Sequence, residues 1–267
     1  MFTFRRFTIL FFICLLVLNL ASMFGCGTEA CFFCVNLPWF YAGLLAAYLG
    51  ISVAMAFFLS SGYHYPVISR GKTDELNVAI TFDDGPDALK TPVVLDILNK
   101  HNIPATFFLI GNKIPGNEAL VKRITDEGHI VGIHSWSHSN WFDFFAPAAM
   151  KRELIRTTET VIAASARIPL LFRPPYGVIN PMLARALRSL PLTVVGWSVR
   201  SLDTVIRDPA RVTDRICRKI RPGSVILLHD HTDFTTDHLE RLTGQIRDAG
   251  YQIVPLDVLL NIKAYAD

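Results

Sequence analysis

Short apolar runs alternate with amphipathic segments from residue 77 to residue 260, and this alternation restricts the fold more than any other feature. Seven runs are predicted as strands, at residues 78–82, 105–110, 129–134, 170–172, 192–197, 224–228 and 252–254. Six segments with helical spacing lie between them, at residues 92–102, 117–128, 147–166, 181–189, 208–220 and 236–249. Because the strands are apolar at nearly every position, both faces of the sheet should be buried. The pattern predicts an α/β fold with a parallel sheet, either open or closed into a barrel.

The first 62 residues have a different composition, since Glu29 is the only charged residue between Arg6 and Arg70. Two apolar segments, at about residues 7–24 and 39–60, each approach the roughly 20 residues that a helix needs to cross a bilayer. We therefore predict membrane segments in residues 1–62, a linker at 63–76 and a catalytic domain at 77–267, with the protein at a membrane. A cleaved signal peptide is the alternative for the first segment.

The positive charges that flank the apolar segments predict which side of the membrane holds the domain. Arg5 and Arg6 favour a cytoplasmic N-terminus. Two crossings return the chain to the same side, where Arg70 and Lys72 are also favoured. If only one segment spans, the domain lies on the opposite side.

Charge and cysteine content narrow the possible partners. The formal net charge is +3 and no block is rich in Lys or Arg, so no nucleic-acid partner is expected. Cys26, Cys31 and Cys34 follow Cys14 in the connection between the apolar segments. A disulfide or ordinary apolar packing is favoured there over a metal site, because the C-x4-C-x2-C spacing lacks a fourth ligand. Cys217 lies in a helical pattern and is predicted to be in the core.

The first predicted strand ends in two adjacent carboxylates, Asp83 and Asp84, followed by Gly85 and Pro86. Two like charges side by side are costly unless a metal, an arginine or a shared proton neutralises them. A plain turn, for which Asp, Gly and Pro are common, is the alternative.

Polar residues also follow other predicted strands, and in a parallel sheet these carboxyl ends meet at one edge. They are His134 and His138, Arg173 and Tyr176, Asp203, and His229. If the chain turns helically after His134, both imidazoles lie on one face and can bind one metal. Together with Asp84 they form the two-histidine, one-carboxylate set that suits Zn²⁺ with an open position for water. Two unrelated surface histidines are the alternative.

Four motifs in this order, T-F-D-D-G-P, H-S-W-S-H, R-P-P-Y and L-L-H-D, resemble those of the polysaccharide deacetylase family. This family is also called the NodB-homology family or carbohydrate esterase family 4, and the resemblance covers about residues 77–260. It implies a distorted (β/α)7-type barrel and metal-dependent removal of acetyl groups from an N-acetylated glycan or lipid-linked sugar. It also favours a bacterial cell membrane as the location.

The resemblance further implies a role for single residues. Asp83 is expected to be the general base, and Asp84, His134 and His138 are expected to hold one divalent metal ion, with Zn²⁺ the favoured identity. Arg173 is expected to pair with the base, and the backbone N–H of Tyr176 is expected to donate to the oxyanion. His229 is expected to be the general acid, and Asp203 the carboxylate that orients it.

One motif departs from the family pattern D-S-x-D-W, since Arg200 replaces its first Asp and Thr204 its Trp. Asp203 is retained. The change removes an apolar pocket wall and places a cation near the rim, which leads to the hypothesis that Arg200 favours an anionic or lipid-phosphate-linked glycan. The alternative is that Arg200 faces solvent or pairs with a nearby Asp.

Two other functions compete with deacetylation. The first is hydrolysis of another acyl group on the same fold, for example by a deformylase. The second is a catalytically inactive, membrane-tethered glycan-binding module, against which the intact Asp83, Asp84, His134, His138 and His229 argue. Neither the sequence nor the resemblance predicts an oligomeric state.

Overall fold

The computed structural model describes residues 3–25 and 32–266, with the backbone only at residues 24, 25 and 32–35. The first two helices are α1 (Phe4–Gly25) and α2 (Phe32–Ala56). By length and composition, both are apolar enough to cross a membrane.

Helices α1 and α2 pack side by side in antiparallel order. Thr8 Oγ1 lies 3.0 Å from Tyr48 Oη, and Tyr41 Oη donates to Asn19 Oδ1 over 3.0 Å. At the open end of this helical hairpin, the Phe4 N–H donates to the Tyr63 carbonyl over 2.9 Å. The start of α1 therefore lies beside the end of α2, next to the remainder of the chain.

The cysteine predictions are only partly covered by the structure. Cys26, Cys31 and the Cys34 side chain lie outside the described residues. Cys14 and Cys217 are free thiols. Cys217 is partly buried and packs against the hydrophobic core.

Within residues 3–25 and 32–266, ten strands form two sheets, and eight of them build one parallel sheet. In chain order the strands are β1 (Asn77–Gly85), β2 (Ala105–Leu109), β3 (Ile130–Ile133), β4 (Ile168–Pro169), β5 (Leu171–Phe172), β6 (Thr193–Val194), β7 (Val199–Arg200), β8 (Ser224–His229), β9 (Gln252–Ile253) and β10 (Tyr265–Ala266). The parallel sheet has the order β6-β5-β3-β2-β1-β8-β7, with β9 also on β1, and β4 pairs with β10 in antiparallel fashion.

In the part of the chain that the structure describes after α2, seven α-helices accompany this sheet: α3 (Lys90–Lys100), α4 (Glu118–Asp126), α5 (Pro147–Ser165), α6 (Pro181–Leu187), α7 (Pro209–Lys219), α8 (Asp233–Asp248) and α9 (Leu256–Leu260). Side-chain caps fix several starts, as expected for Asp, Asn and Thr. Asp208 accepts from the Ala210 N–H at the start of α7, and Pro209 occupies the first turn.

The predicted α/β fold is confirmed, because the curled parallel sheet with helices matches the (β/α)7-type barrel. Strand β1 lies at its centre, where Val78, Ile80 and Phe82 are fully buried and Phe82 stacks on Phe107. Asp83 and Asp84 extend this strand beyond the predicted apolar run.

The differences from the predicted elements lie at short or capped segments. The sequence pattern does not predict strand β7, helix α9 or the β4–β10 pair. These strands have two residues each and α9 has five, which is too short for a periodic pattern. Helix α8 begins three residues before the predicted start because Thr232 caps it by accepting from the Thr235 N–H.

The segment at residues 63–76 is bound to the domain by backbone contacts. Ile68 forms a parallel bridge with Val195, Arg70 forms an antiparallel bridge with Ser224, and the Gly71 N–H donates to the Gly223 carbonyl over 2.8 Å. Elsewhere, the Ile179 N–H donates to the Ala56 carbonyl at the end of α2 over 3.0 Å. These contacts hold the helical hairpin and the domain in one arrangement.

Candidate metal centre and active site

The carboxyl ends of the central strands surround one pocket of about 270 Å³. Its walls carry most of the residues singled out from the sequence, together with apolar and small residues. The lining residues are Asp83, Asp84, His134, His138, Pro174, Tyr176, Gly177, Trp197, Arg200, Thr204, Leu227 and His229. Arg173 and Asp203 lie behind this wall, each bonded to one of its members.

Asp83 is paired with Arg173 in the interior. Arg173 Nη1 donates to Asp83 Oδ1 over 2.7 Å, and the arginine side chain is fully buried. The other carboxylate oxygen, Asp83 Oδ2, lies 4.0 Å from His134 Nε2. One oxygen of Asp83 is thus held by a cation while the other faces the histidines of the pocket.

Asp84 lies between two imidazoles. Its Oδ1 atom is 3.4 Å from His134 Nε2 and 3.2 Å from His138 Nε2. Burial opposes ionisation of Asp84, but a hydrogen bond and positive charge from the protonated form of His134, with the charges of protonated His138 and His229, hold the pKa of this carboxyl well below its usual range. Asp84 Oδ1 is nevertheless buried without a hydrogen bond from any described residue.

The hydrogen bonding of His134 fixes its tautomer. Its Nδ1 atom lies 2.7 Å from the Arg173 carbonyl oxygen. Because a carbonyl oxygen only accepts, Nδ1 carries the hydrogen in the neutral imidazole, and Nε2 then holds a lone pair. This lone pair and the Asp84 oxygen face each other as two acceptors, an arrangement that a shared cation stabilises.

These three residues fit a zinc ion. Ligand atoms about 2.0–2.1 Å from a tetrahedral Zn²⁺ lie roughly 3.3 Å from one another, close to the spacings at Asp84. Suitable ligand atoms of Asp84, His134 and His138 all lie within 4.8 Å of one another. Burial and the neighbouring His134 lower the pKa of His138 to about 4, so this imidazole is neutral and able to ligate at neutral pH.

The chain between the two histidines is a loop, so the helical turn considered from the sequence is not formed. Ser135 and His138 have positive φ angles of 64° and 46°. Ser135 Oγ accepts from the His138 N–H over 3.1 Å, which closes the loop. The two imidazoles still meet, with ring centroids 4.9 Å apart.

His229 and Asp203 form a second pair at the opposite side of the pocket. His229 Nδ1 lies 2.8 Å from Asp203 Oδ1, and Asp203 Oδ2 accepts from the His229 backbone N–H. Burial alone would lower the pKa of His229, but the hydrogen bond and charge of Asp203 reverse this and raise it. His229 Nε2 lies 3.9 Å from Asp84 Oδ2, on the pocket side.

Tyr176 connects two loops of the rim. Its hydroxyl donates to Asn140 Oδ1 over 2.6 Å, and its ring lies against His138 with centroids 4.7 Å apart. Its backbone is left-handed, at φ 57° and ψ 0°. The next residue, Gly177, also has a positive φ of 71°, and a Cβ atom there would collide with the Trp197 ring.

Glu153 on α5 supports the loop between His134 and His138, and no sequence pattern predicts this contact. Its Oε2 atom accepts from the Trp136 N–H, the Ser137 N–H and the Ser137 hydroxyl, at 3.0, 2.8 and 3.0 Å. These donors lie between His134 and His138. A glutamate on an amphipathic helix is usually a solvent-facing residue, so only the folded chain reveals the contact.

Asp230, the last residue of the L-L-H-D motif, is buried behind the pocket. Its Oδ2 atom accepts from Thr91 Oγ1 over 2.5 Å. Burial raises the pKa of Asp230 to about 7. The Asp230 carboxyl occupies the space that a Cβ atom at Gly85 would need. The close approach of Asp230 to the end of β1 therefore depends on glycine at position 85.

Comparison with known proteins places this geometry in a family. The family model described as "Polysaccharide deacetylase" matches residues 70–195. A peptidoglycan-N-acetylglucosamine deacetylase of Bacillus cereus is 34% identical over 196 residues, which cover 72% of this chain and 71% of that protein. The peptidoglycan-N-acetylglucosamine deacetylase PgdA of Listeria monocytogenes is 34% identical over 206 residues, but the match spans 77% of this chain and only 43% of that protein.

A solved structure has the same architecture. The Bc1960 peptidoglycan N-acetylglucosamine deacetylase superposes with a TM-score of 0.69 at 32% identity, covering 75% of this chain and 95% of that one. The fold and the site thus define an α/β domain of the carbohydrate esterase type. This chain belongs to the polysaccharide deacetylase family.

We predict that Glu153→Ala weakens Zn²⁺ binding roughly 10- to 100-fold, because outer partners that orient ligands typically contribute this much. Glu153→Gln should retain most of the affinity, since an amide oxygen still accepts from the loop. Competition with a chromogenic chelator on the purified full chain measures both values.

The matched control for this experiment is Glu159→Ala, an exposed carboxylate on the same helix. It should bind Zn²⁺ like the unchanged protein. Equal affinity of Glu153→Ala and the unchanged protein would show that the ligand loop holds its shape without Glu153.

Proposed function

We propose that the protein is a metal-dependent hydrolase that removes acetyl groups from an N-acetylated glycan. The observation that carries this proposal is the meeting of three sets of residues in one pocket. They are the candidate ligands of one metal ion, the Asp83–Arg173 pair and the His229–Asp203 pair. Amide hydrolysis needs a nucleophile, charge stabilisation on the carbonyl oxygen and a proton for the departing nitrogen, and this pocket has a candidate for each.

The candidate metal ligands are Asp84, His134 and His138. A Zn²⁺ ion held by them would supply Lewis-acid chemistry, lowering the pKa of a bound water to about 7.

Asp83 is the proposed general base. Arg173 holds Oδ1 by a hydrogen bond, which leaves Oδ2 to accept a proton from the attacking water. The water oxygen forms a bond to the acetyl carbon, and the backbone N–H of Tyr176 is the proposed donor to the carbonyl oxygen. Such a donor contributes about 3 kcal/mol.

His229 is the proposed general acid. Its Nδ1–H is held by Asp203, so Nε2 faces the pocket and donates its proton to the amide nitrogen as the carbon–nitrogen bond breaks. Acetate and a free amine leave, and the proton held by Asp83 balances the one given by His229. A positioned acid or base typically contributes 10²–10⁴-fold to the rate.

We also propose that the helical hairpin anchors the domain, with residues 1–62 as membrane segments, 63–76 as linker and 77–267 as catalytic domain. The antiparallel packing of α1 and α2 supports this, because it puts residues 4 and 63 side by side. With both helices across the bilayer, the pocket lies on the cytoplasmic side favoured by Arg5 and Arg6. A lipid-linked sugar at that face would meet it.

The activity is tested by acetate release from N-acetylglucosamine oligomers. We expect activity that a chelator abolishes and Zn²⁺ restores, and we expect Asp83→Asn to lower kcat at least about 100-fold. The formyl analogue should be a poorer substrate than the acetyl form.

Asp126→Asn, which changes an exposed carboxylate on α4, is the matched control and should retain full activity. Thermal unfolding of both variants shows whether each is folded. Full activity of a folded Asp83→Asn protein would rule out the proposed base. Faster release of formate than of acetate would favour a deformylase.

The pH dependence tests the proposed acid. His229 must be protonated to donate, and Asp203 raises its pKa, so kcat/KM should fall only as the pH rises through this raised pKa. Asp203→Asn removes the negative charge and should move the falling limb to lower pH by about one unit or more.

NMR titration of the His229 imidazole should show the same shift. Asp233→Asn is the control, because Asp233 is exposed and paired with Lys90 rather than with His229. A falling limb that does not move in Asp203→Asn would assign it to another group.

The proposed anchor is tested with topology reporters. A reporter fused after residue 267 should report the cytoplasmic side, and one fused after residue 30 should report the opposite side. A C-terminal reporter on the outer side would contradict the two-helix anchor and the cytoplasmic position of the pocket.

A further inference from the structure

We infer that the substrate carries a negative charge close to its N-acetyl group and that Arg200 recognises this charge. The inference rests on the proposed function and specifies the substrate class of the same pocket. The anion is a carboxylate on the sugar or a phosphate diester that links the sugar to a lipid, since both present oxygens that a guanidinium binds in the same way.

The position of Arg200 is the first observation. It ends β7, the edge strand, in register with Leu227 of β8, and both residues line the pocket. The Arg200 side chain is exposed. Its guanidinium carbon lies 6.0 Å from the centroid of the Trp197 ring, which forms another part of the wall. The cation therefore lies at the pocket, on a rigid strand rather than on a loose loop.

The second observation is that the charge of Arg200 is not used within the protein. Among the described residues, no carboxylate oxygen lies within the 4.0 Å ion-pair distance of its guanidinium. The alternative considered from the sequence, pairing with a nearby Asp, is therefore not what the structure shows.

The carboxylates of the site are engaged elsewhere. Asp83 binds Arg173 and Asp203 binds His229, each through a short bond. Asp84 lies between imidazole nitrogens. Arg200 thus places at the rim of the pocket a positive charge that forms no ion pair with any described carboxylate.

The surroundings of Arg200 leave room for a larger substrate. Thr204 borders both the pocket and a neighbouring cleft of about 900 Å³. A small threonine at position 204 leaves this side open. A glycan seated in the cleft would bring its next unit, or its linking phosphate, past Arg200.

The experiment compares three substrates with the full chain loaded with Zn²⁺. They are a neutral N-acetylglucosamine oligomer, the same oligomer with a carboxylate on the neighbouring sugar, and an alkyl phosphodiester of N-acetylglucosamine. We expect kcat/KM to be higher for at least one anionic substrate. Arg200→Ala should reduce that preference roughly 10- to 100-fold, as expected for a charge-assisted hydrogen bond.

Two further variants sharpen the comparison. Arg200→Lys should keep part of the preference because it keeps the charge. Arg211→Ala removes one exposed positive charge from α7, which does not line the pocket, and should leave the preference in place. Preference for the carboxylate identifies an acidic sugar, and preference for the diester identifies a lipid-linked one.

Calorimetric binding to Asp83→Asn and to Asp83→Asn/Arg200→Ala separates the two proposals. If Asp83→Asn/Arg200→Ala loses the same binding affinity for neutral and for anionic ligands, the inference is overturned, even if the unchanged protein releases acetate. An anion preference that depends on Arg200 supports the inference, even if no substrate is hydrolysed, in which case the proposed function fails alone.

Discussion

The buried ion pair of Asp83 and Arg173 depends on the curl of the sheet, and the arrangement of the pocket depends on the ion pair. In the order β5-β3-β2-β1, the ends of β5 and β1 would lie about 14 Å apart on a flat sheet. One side chain cannot cross that gap, yet Arg173 Nη1 lies 2.7 Å from Asp83 Oδ1. The barrel-like curvature closes the distance and brings the ends of the intervening strands together.

Such a pair is costly to bury, since removing each ion from water costs several kcal/mol. The structure offsets this with further bonds to the guanidinium. Arg173 donates to Thr81 Oγ1 and to the carbonyl oxygens of Val195 and Gly196, and it lies over the Phe108 ring. These partners come from β1, β2 and the chain after β6. The arginine therefore links distant strands while its own backbone carbonyl orients His134.

Much of this arrangement could be predicted from the sequence, because it follows from regular rules. Apolar runs alternating with helices require a parallel sheet, and polar residues after those runs must then meet at one edge. This rule predicts that Asp84, His134 and His229 lie together, and they line one pocket. The start of α7 could also be predicted, because Asp is favoured at the N-cap position and Pro in the first turn of a helix.

What could not be predicted depends on contacts between residues far apart in the chain. Strand β7 has two residues, too few for a periodic signal, and it is defined by its pairing with β8. The support from Glu153 needs α5 to pack beside the histidine loop. The loop itself bends through positive φ angles at Ser135 and His138, and non-glycine residues adopt such angles only in a small minority of cases.

The contacts of residues 63–76 have a consequence for the reach of the protein. A flexible linker of about 14 residues would let its ends separate by about 20 Å on average and explore many orientations. Here Ile68 and Arg70 are paired with the barrel, and Ile179 is bonded to the end of α2. With the hairpin in a bilayer, as proposed, the pocket would be held at one height and one tilt above the lipid surface. Such a protein would select its substrate by depth as well as by chemistry, and a sugar presented further from the membrane would have to come to it.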